Sequence, residues 1–425
     1  MSSLSTAALR GCAFLLCTAV ISCGGGGDSL TGGSSSGGTG TVTPSSNVVG
    51  VTVSAGPAGV NAINTLFTTV TVCVPATTTC QTIDNIQVDT GSYGLRLLAP
   101  VVTLSLPVAT AASGGGLVEC TEFVDGYSWG PVALVDLQIS GETASSVPVQ
   151  LIGDSRYPTA PSDCSSPAPA AENTVATFGA NGILGIGPFA QDCGTFCAAS
   201  VPEPIQYYGC TTSIECQSTL VPVSAQVQNP VTMFTTDNNG TIITLPSVAS
   251  AGAANVTGSL IFGIDTESNN ASGTETVVPV SDMGYVTTVF NSQTLTESFI
   301  DSGSNATYFD DSSVTQCPTS GGSSTSISDF YCPSSGLTLT AAFELSDNST
   351  VNASFQVVSA DAASSTVTAY PGLAGTIPTI PATSGSTPTM NDSFDWGLPF
   401  FFGRRVANAI EGAATSVGTG PYVAY

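Results

Sequence analysis

Two short polar segments of the chain carry the residue types that metal-free hydrolysis needs. Residues 89–92 read Asp-Thr-Gly-Ser, and residues 301–304 read Asp-Ser-Gly-Ser. Each segment follows a short apolar run with the character of a β-strand. One copy lies in each half of the chain, so the sequence predicts two lobes that bring Asp89 and Asp301 together.

Two carboxyl groups held side by side can act as an acid and a base at the same time. Two Asp side chains about 3 Å apart cannot both ionise easily, so they share one proton. The ionised group then takes a proton from water, while the protonated group polarises the scissile carbonyl. We expect the hydroxyl groups and the glycine N–H groups to hold the carboxylates coplanar, and the serines to bond the outer oxygens. These supporting residues are Thr90, Gly91, Ser92, Ser302, Gly303 and Ser304.

The composition excludes several other kinds of site. The 425 residues include no His and no Lys, and the only cations are five arginines. Ser-His-Asp triads, Cys-His pairs, His-ligated zinc sites and P-loop lysines are therefore excluded in their common forms. The net charge of −25 repels phosphate, so we expect no nucleic-acid partner, and we predict no cofactor and no metal.

The elements that position the two segments are predicted to be strands. Hydrophobic residues make up 42% of the chain, long amphipathic helical patterns are missing, and β-branched residues are abundant. The prediction is an all-β fold with an N-terminal lobe over residues 48–245 and a C-terminal lobe over residues 246–425. Residues 117–138 are predicted to form a hairpin, with its turn at Asp125 and Gly126.

The N-terminus has the features of an export signal. Residues 1–22 combine one arginine with a short apolar run, which predicts a secretory signal. Residues 20–23, Val-Ile-Ser-Cys, resemble the lipobox of bacterial lipoproteins, which implies acylation of Cys23 and anchoring in a lipid bilayer. Residues 23–47 would then be the lipidated cysteine and a Gly/Ser tether. Gly24 stands where inner-membrane lipoproteins typically have Asp, which favours the outer membrane; the alternative is a plain signal peptide with an incidental cysteine.

The cysteines also indicate export. Thirteen are present, and three of them lie within or at the end of the signal segment, which leaves an even ten. Proximity along the chain predicts the disulfides Cys73–Cys80 and Cys317–Cys332. The four cysteines within residues 193–216 could instead bind zinc, but their spacing differs from that of a zinc ribbon, and disulfides are favoured.

The ordered motifs resemble those of pepsin-type aspartic peptidases. Residues 89–92 and 301–304 are similar to the two catalytic motifs of that family. Residues 181–185, Asn-Gly-Ile-Leu-Gly, and residues 396–400, Trp-Gly-Leu-Pro-Phe, are similar to the segments that complete its two ψ-shaped loops. The resemblance implies a bilobal double β-barrel with an active-site cleft between the lobes and a peptide or protein substrate. The chain is also similar to a narrower set of uncharacterised bacterial lipoproteins with these motifs.

Some positions depart from the pepsin pattern. The hairpin that carries Tyr127 and Trp129 lies where the family has its mobile flap, but its sequence differs from the usual one. Arg96 stands where the family usually has an aromatic residue, and Asp395 replaces an apolar residue. A buried cation near the dyad would favour its doubly ionised, inactive form, unless Arg96 pairs with an acidic residue elsewhere.

The function predicted from these observations is that of an exported, membrane-anchored aspartic endopeptidase, acting as a monomer. Asp89 and Asp301 would activate water for hydrolysis of the peptide bond. The departures leave two alternatives. One is a catalytically inactive protein of the same fold that binds peptide or glycan, and the other is a structural surface lipoprotein.

Overall fold

The computed structural model describes most of the chain that follows the predicted tether. The described residues are 46–123, 126–165, 170–201, 206–318, 329–363, 366–377 and 393–425. The predicted signal segment, Cys23, nearly all of the tether and Asp125 of the predicted hairpin turn lie outside them.

Strands account for almost all of the regular structure in these residues. Those of the first part of the chain are β1 (Val48–Val53), β2 (Leu66–Cys73), β3 (Cys80–Asp89), β4 (Tyr93–Leu98), β5 (Gly116–Glu122), β6 (Tyr127–Ile139), β7 (Glu142–Ile152), β8 (Gly182–Ile186), β9 (Tyr207–Cys210), β10 (Cys216–Ser218) and β11 (Gly240–Thr244). The described α-helices are all short: α1 (Ser162–Ser165), α2 (Val175–Phe178) and α3 (Gly194–Ala199).

The remaining strands belong to the second part of the chain. They are β12 (Val256–Phe262), β13 (Val277–Pro279), β14 (Val286–Phe290), β15 (Gln293–Ile300), β16 (Thr307–Tyr308), β17 (Leu337–Glu344), β18 (Thr350–Val357), β19 (Ala374–Gly375), β20 (Asp395–Trp396), β21 (Arg405–Ala409), β22 (Ala414–Thr415), β23 (Gly418–Thr419) and β24 (Tyr422–Ala424).

The strands form two large sheets. The larger has the order β10-β9-β5-β6-β7-β4-β8-β3-β2-β1-β12-β11-β21-β24-β13, and an extra pairing of β6 with β2 closes β2, β3, β8, β4, β7 and β6 into a ring. We call this ring the N-terminal barrel. The second, here the C-terminal sheet, has the order β18-β17-β14-β15-β20-β16-β19. The predicted all-β, two-lobed architecture is confirmed. Strands β11 and β12 pair across the predicted lobe boundary at residue 245, which remains a prediction.

The same strand arrangement occurs at the end of β3 and at the end of β15. Strand β8 runs parallel to β3 and antiparallel to β4, and β20 runs parallel to β15 and antiparallel to β16. A Cβ atom on Gly185 would lie 2.6 Å from the backbone N of Tyr93, and one on Gly397 would lie 2.1 Å from the carbonyl oxygen of Ala306. Glycine therefore permits the close approach that both arrangements require.

Stacked aromatic side chains fill the core of the C-terminal sheet. Phe394 is fully buried. Its ring centroid lies 4.5 Å from that of Trp396, 5.5 Å from that of Phe309 and 5.6 Å from that of Phe290. Phe394 directly precedes β20, and Trp396 belongs to it. This packing therefore fixes the position of the strand that lies beside Asp301.

Five disulfides cross-link the described chain. They are Cys73–Cys80, Cys120–Cys164, Cys193–Cys197, Cys210–Cys216 and Cys317–Cys332. Both pairings predicted from proximity are present, and the four cysteines considered for zinc are joined in two pairs. Disulfides persist in oxidising compartments, so they indicate an extracellular or periplasmic location. Within the described ranges, no helix has the length and hydropathy needed to cross a bilayer.

The aromatic core should dominate the stability of the C-terminal sheet. We expect Phe394→Ala to lower the free energy of unfolding by about 3–5 kcal/mol, because it removes a fully buried ring and leaves a cavity. Phe196 is 54% exposed, so the matched variant Phe196→Ala should change it by no more than about 0.5 kcal/mol. Urea unfolding measures both values, and equal effects would contradict this description of the core.

Candidate active site

Asp89 is the last residue of β3, and its own turn holds its carboxylate. The backbone N–H of Gly91 donates to Asp89 Oδ1 at 2.7 Å. The hydroxyl of Ser92 donates to Asp89 Oδ2 at 2.5 Å. Each oxygen thus has a donor from the segment that follows the strand, which fixes the plane of the carboxylate as predicted for Gly91 and Ser92.

Asp301 directly follows β15 and is held in the same way. The backbone N–H of Gly303 donates to Asp301 Oδ1 at 2.6 Å, and the hydroxyl of Ser304 donates to Asp301 Oδ2 at 2.9 Å. The two turns therefore present their carboxylates through equivalent hydrogen bonds, although they come from opposite halves of the chain.

Thr90 and Ser302 join the two turns to each other. The Thr90 hydroxyl donates to the carbonyl of Ile300 at 3.1 Å and accepts from the backbone N–H of Ser302 at 2.9 Å. In return, the Ser302 hydroxyl donates to the carbonyl of Val88 at 2.9 Å and accepts from the backbone N–H of Thr90 at 3.1 Å. The sequence predicted that these hydroxyls bond the carboxylates; instead they bond the opposite backbone and hold the two turns together.

The two carboxyl groups lie close together. A Cβ atom on Gly91 would lie 2.7 Å from Asp301 Cγ, and one on Gly303 would lie 2.5 Å from Asp89 Oδ1. Neither aspartate is exposed to solvent. Burial, the charges of Asp89 and Asp395, and a hydrogen bond with Asp89 raise the pKa of Asp301 well above its ordinary value. Asp301 is thus the member of the dyad suited to hold the shared proton.

A third carboxyl group, that of Asp395, adjoins the dyad. Asp395 belongs to β20, is 5% exposed, and hydrogen-bonds Ser304. Burial raises the pKa of Asp395 well above its ordinary value, and this effect outweighs the opposite one that a hydrogen bond donated by Ser304 would have. The sequence marked Asp395 only as a departure from an apolar pattern and gave no sign that it would lie beside the catalytic candidates.

A cavity of about 140 Å³ lies beside Thr90 and Gly91. Its walls include the aromatic side chains of Tyr93, Phe189 and Phe299. Burial and the charge of Asp89 raise the pKa of Tyr93, which keeps its phenol neutral. Sequence reasoning did not select Tyr93, although its position directly after the first motif is a usable signal.

The family described as "Protein of unknown function (DUF3443)" matches residues 43–425. The chain belongs to the DUF3443 family. The solved structure of an aspartic proteinase from Irpex lacteus is similar, with 15% sequence identity and a TM-score of 0.49, over 89% of this chain and 96% of that chain. Among curated proteins, none matches the sequence.

In this DUF3443 protein, Arg96 is buried but is paired with acidic residues. Its guanidinium donates to Glu119 Oε1 at 2.7 Å and to Asp192 Oδ1 at 3.0 Å. It also bonds the hydroxyl of Thr121 and the carbonyl of Tyr93. Asp192 lies 96 positions from Arg96, which explains why the sequence did not identify this partner.

One guanidinium thus faces two buried carboxyl groups. Burial and the charge of Asp192 raise the pKa of Glu119, although the charge of Arg96 opposes that shift. Arg96 itself stays charged, because Glu119 and Asp192 raise its pKa despite burial. Arg96 is therefore engaged by these two carboxyl groups, and the charges that act on Asp301 are those of Asp89 and Asp395.

The structure places Tyr127 and Trp129 in β6, beside the predicted hairpin turn. Trp129 is 2% exposed, donates its indole N–H to the carbonyl of Tyr157 at 2.9 Å, and packs edge-on against Tyr208. Neither Tyr127 nor Trp129 is among the described residues that line the cavity beside the dyad. Strand β9 pairs with the outer side of β5, so the hairpin is part of a wider sheet. The assignment of a flap remains a prediction.

Removal of Arg96 should be strongly destabilising and dependent on pH. We expect Arg96→Met to lower the free energy of unfolding by about 3–5 kcal/mol at neutral pH, because a buried negative charge loses its partner. Since the pKa of Glu119 is raised in the folded state, its protonated form stabilises the fold at acid pH, and this contribution is lost as pH rises. The loss should therefore be smaller at acid pH.

The matched control is Arg156→Met. Arg156 is half exposed and pairs with Asp154 at 2.6 Å, so we expect a change of only about 0–1 kcal/mol. Urea unfolding at several pH values measures both variants. An Arg96→Met effect that is equal at acid and neutral pH would contradict the assigned charge balance.

Proposed function

We propose that this protein is an exported aspartic endopeptidase that uses Asp89 and Asp301 to hydrolyse peptide bonds. One observation carries the proposal: two carboxyl groups from opposite halves of the chain lie in contact, each held by a glycine N–H and a serine hydroxyl. The crossed hydrogen bonds of Thr90 and Ser302 support it, because they fix the distance between the two turns.

Hydrolysis by a dyad requires one protonated and one ionised carboxyl group. Asp301 holds the shared proton, and Asp89 provides the ionised carboxylate. Asp89 removes a proton from water, the water oxygen bonds to the carbonyl carbon, and Asp301 transfers its proton to the carbonyl oxygen. Cleavage of the C–N bond then follows when the amide nitrogen takes a proton from Asp89 and the gem-diol returns one to Asp301.

The surroundings of the dyad suit a peptide. The lining of the cavity beside Thr90 and Gly91 combines the aromatic residues Tyr93, Phe189 and Phe299 with polar residues such as Asn408, which supports binding of a peptide with an apolar side chain and a polar backbone. Neither catalytic carboxylate is exposed, so the dyad has to become accessible before a substrate can react.

The first test is proteolysis of a denatured protein substrate. We expect cleavage at acid pH and loss of activity as pH rises through the raised pKa of Asp301, because the dyad then loses its shared proton. Asp89→Asn and Asp301→Asn should each reduce kcat by at least about 100-fold.

The matched control for this test is Asp347→Asn. It makes the same chemical change at an exposed hairpin turn, where Asp347 bonds only its own loop, and it should keep full activity. Wild-type activity in either dyad variant would contradict the mechanism.

The complete burial of both aspartates favours a second candidate function. In this alternative, the protein binds a peptide or glycan without cleaving it, and the dyad only joins the two halves of the chain. Mass spectrometry of a peptide mixture incubated with the folded protein separates the two. New peptide termini support the endopeptidase, whereas peptides retained intact support the binding protein.

The proposal includes anchoring to the bacterial envelope through acylated Cys23, with the outer membrane favoured. The five disulfides support an exported location. We expect Cys23→Ser to abolish metabolic labelling by palmitate and to move the protein from the membrane to the soluble envelope fraction. Cys12→Ser, which changes a cysteine within the signal segment, should leave both unchanged. Labelling that persists in Cys23→Ser would contradict the anchor.

A further inference from the structure

Asp395 lies in the short strand behind the dyad. It pairs with Phe299 of β15 on one side and with Tyr308 of β16 on the other. Its side chain is almost completely buried, and its Oδ1 atom has no hydrogen-bond partner among the described residues. Burial of an ionised carboxylate with an unpaired oxygen is strongly unfavourable, whereas a neutral carboxyl group tolerates it better.

No cation of the described residues balances Asp395. Each described arginine has other partners, and the chain contains neither Lys nor His. These arginines and their partners are Arg96 with Glu119 and Asp192, Arg156 with Asp154, Arg405 with Glu275, and Arg404 with the carbonyl and ring of Phe400. The titratable groups whose charges interact with that of Asp395 are Asp89 and Asp301, neither of which is positive, and its backbone neighbour Tyr308 directs its phenol to Asn305.

The hydroxyl of Ser304 lies between Asp301 and Asp395. Ser304 has one hydroxyl hydrogen, which it donates to Asp301 Oδ2 at 2.9 Å. The same hydroxyl also bonds Asp395. While Ser304 donates its hydrogen to Asp301, it can only accept the second bond, and the proton of that bond then comes from Asp395.

The corresponding position in the N-terminal barrel is apolar. There, β8 pairs Ile183 with Gln87, just as β20 pairs Asp395 with Phe299. The serine that bonds Asp89 therefore has no carboxyl group behind it from this strand. The two catalytic aspartates thus accept equivalent hydrogen bonds from their own turns. Only the serine that bonds Asp301 has a further carboxyl group beside it.

We propose that Asp395 is a positioning residue of the dyad, which donates its proton to Ser304 and so directs the Ser304 hydroxyl onto Asp301. Its catalytic consequence rests on the proposed endopeptidase function, whereas its protonation in the folded state does not. When Asp395 ionises, Ser304 becomes its donor, and Asp301 loses the bond to its outer oxygen. Burial supports this assignment, since it raises the pKa of Asp395 well above its ordinary value.

The first measurement counts protons without using activity. A carboxyl group protonated in the folded state and ionised in the unfolded state makes the unfolding constant rise by up to about tenfold per pH unit above pH ~4. This stability is present at acid pH and is lost as pH rises through the folded-state pKa. The slope of the unfolding free energy against pH, measured by urea unfolding at successive pH values, gives the number of protons released on unfolding. Because Asp395→Asn cannot ionise, we expect this variant to lower that number by about one.

The control for the proton count is Asp347→Asn. Asp347 is exposed, and hydrogen bonds from Ser349 lower its pKa. Its ionisation therefore changes the stability of the fold only below the ordinary aspartate pKa. Its replacement should leave the slope above pH ~4 unchanged. Equal slopes for the wild type and Asp395→Asn would overturn the proposal.

The second measurement uses kinetics. Asp395→Asn keeps an N–H donor for Ser304 and should retain most of kcat, whereas Asp395→Leu has no donor and should lower kcat about tenfold with KM unchanged. In a Ser304→Ala background, Asp395→Leu should cause no further loss, because Asp395 acts through Ser304. Additive losses would overturn the positioning role. If the wild type cleaves no substrate, the endopeptidase proposal fails, and the proton count still decides the state of Asp395.

Discussion

The crossed hydrogen bonds between Thr90 and Ser302 are the interaction on which the site depends. Two carboxyl groups in contact repel each other when ionised, so something other than their own chemistry must hold them together. Each hydroxyl donates to a carbonyl and accepts an N–H of the opposite turn, which ties the end of β3 to the end of β15. The glycines of the two turns then allow the carboxyl groups to approach.

Scarcity of positive charge determines how the interior is protonated. With five arginines and no Lys or His, most buried carboxyl groups cannot be paired with a cation. Glu119, Asp301 and Asp395 all have pKa values raised by burial, so each favours its neutral form. Such groups stabilise the folded state at acid pH and lose that contribution as pH rises. A protein of this composition is therefore suited to acid surroundings, where protonation also lowers its surface repulsion.

Local patterns in the sequence were sufficient for the two turns, the strands that carry them and the two disulfides between nearby cysteines. Features that depend on distant parts of the chain could not be predicted in the same way. Arg96 was recognised as unusual, but Asp192 joins it only after β4, β5 and the loop beyond β8 have assembled. The Cys120–Cys164 bond and the role of Asp395 could not be predicted for the same reason, since both depend on which strands become neighbours.

Strand β1 belongs to both halves of the molecule. It pairs with β2 of the N-terminal barrel at one edge and along its whole length with β12 at the other. Residues 46 and 47, directly before β1, are also held by both halves: the backbone N–H of Gly141, between β6 and β7, donates to the carbonyl of Ser46, and that of Phe262 in β12 donates to the carbonyl of Asn47. A tensile force applied at Ser46 would therefore load hydrogen bonds to the N-terminal barrel and to β12 together, instead of those to one half alone.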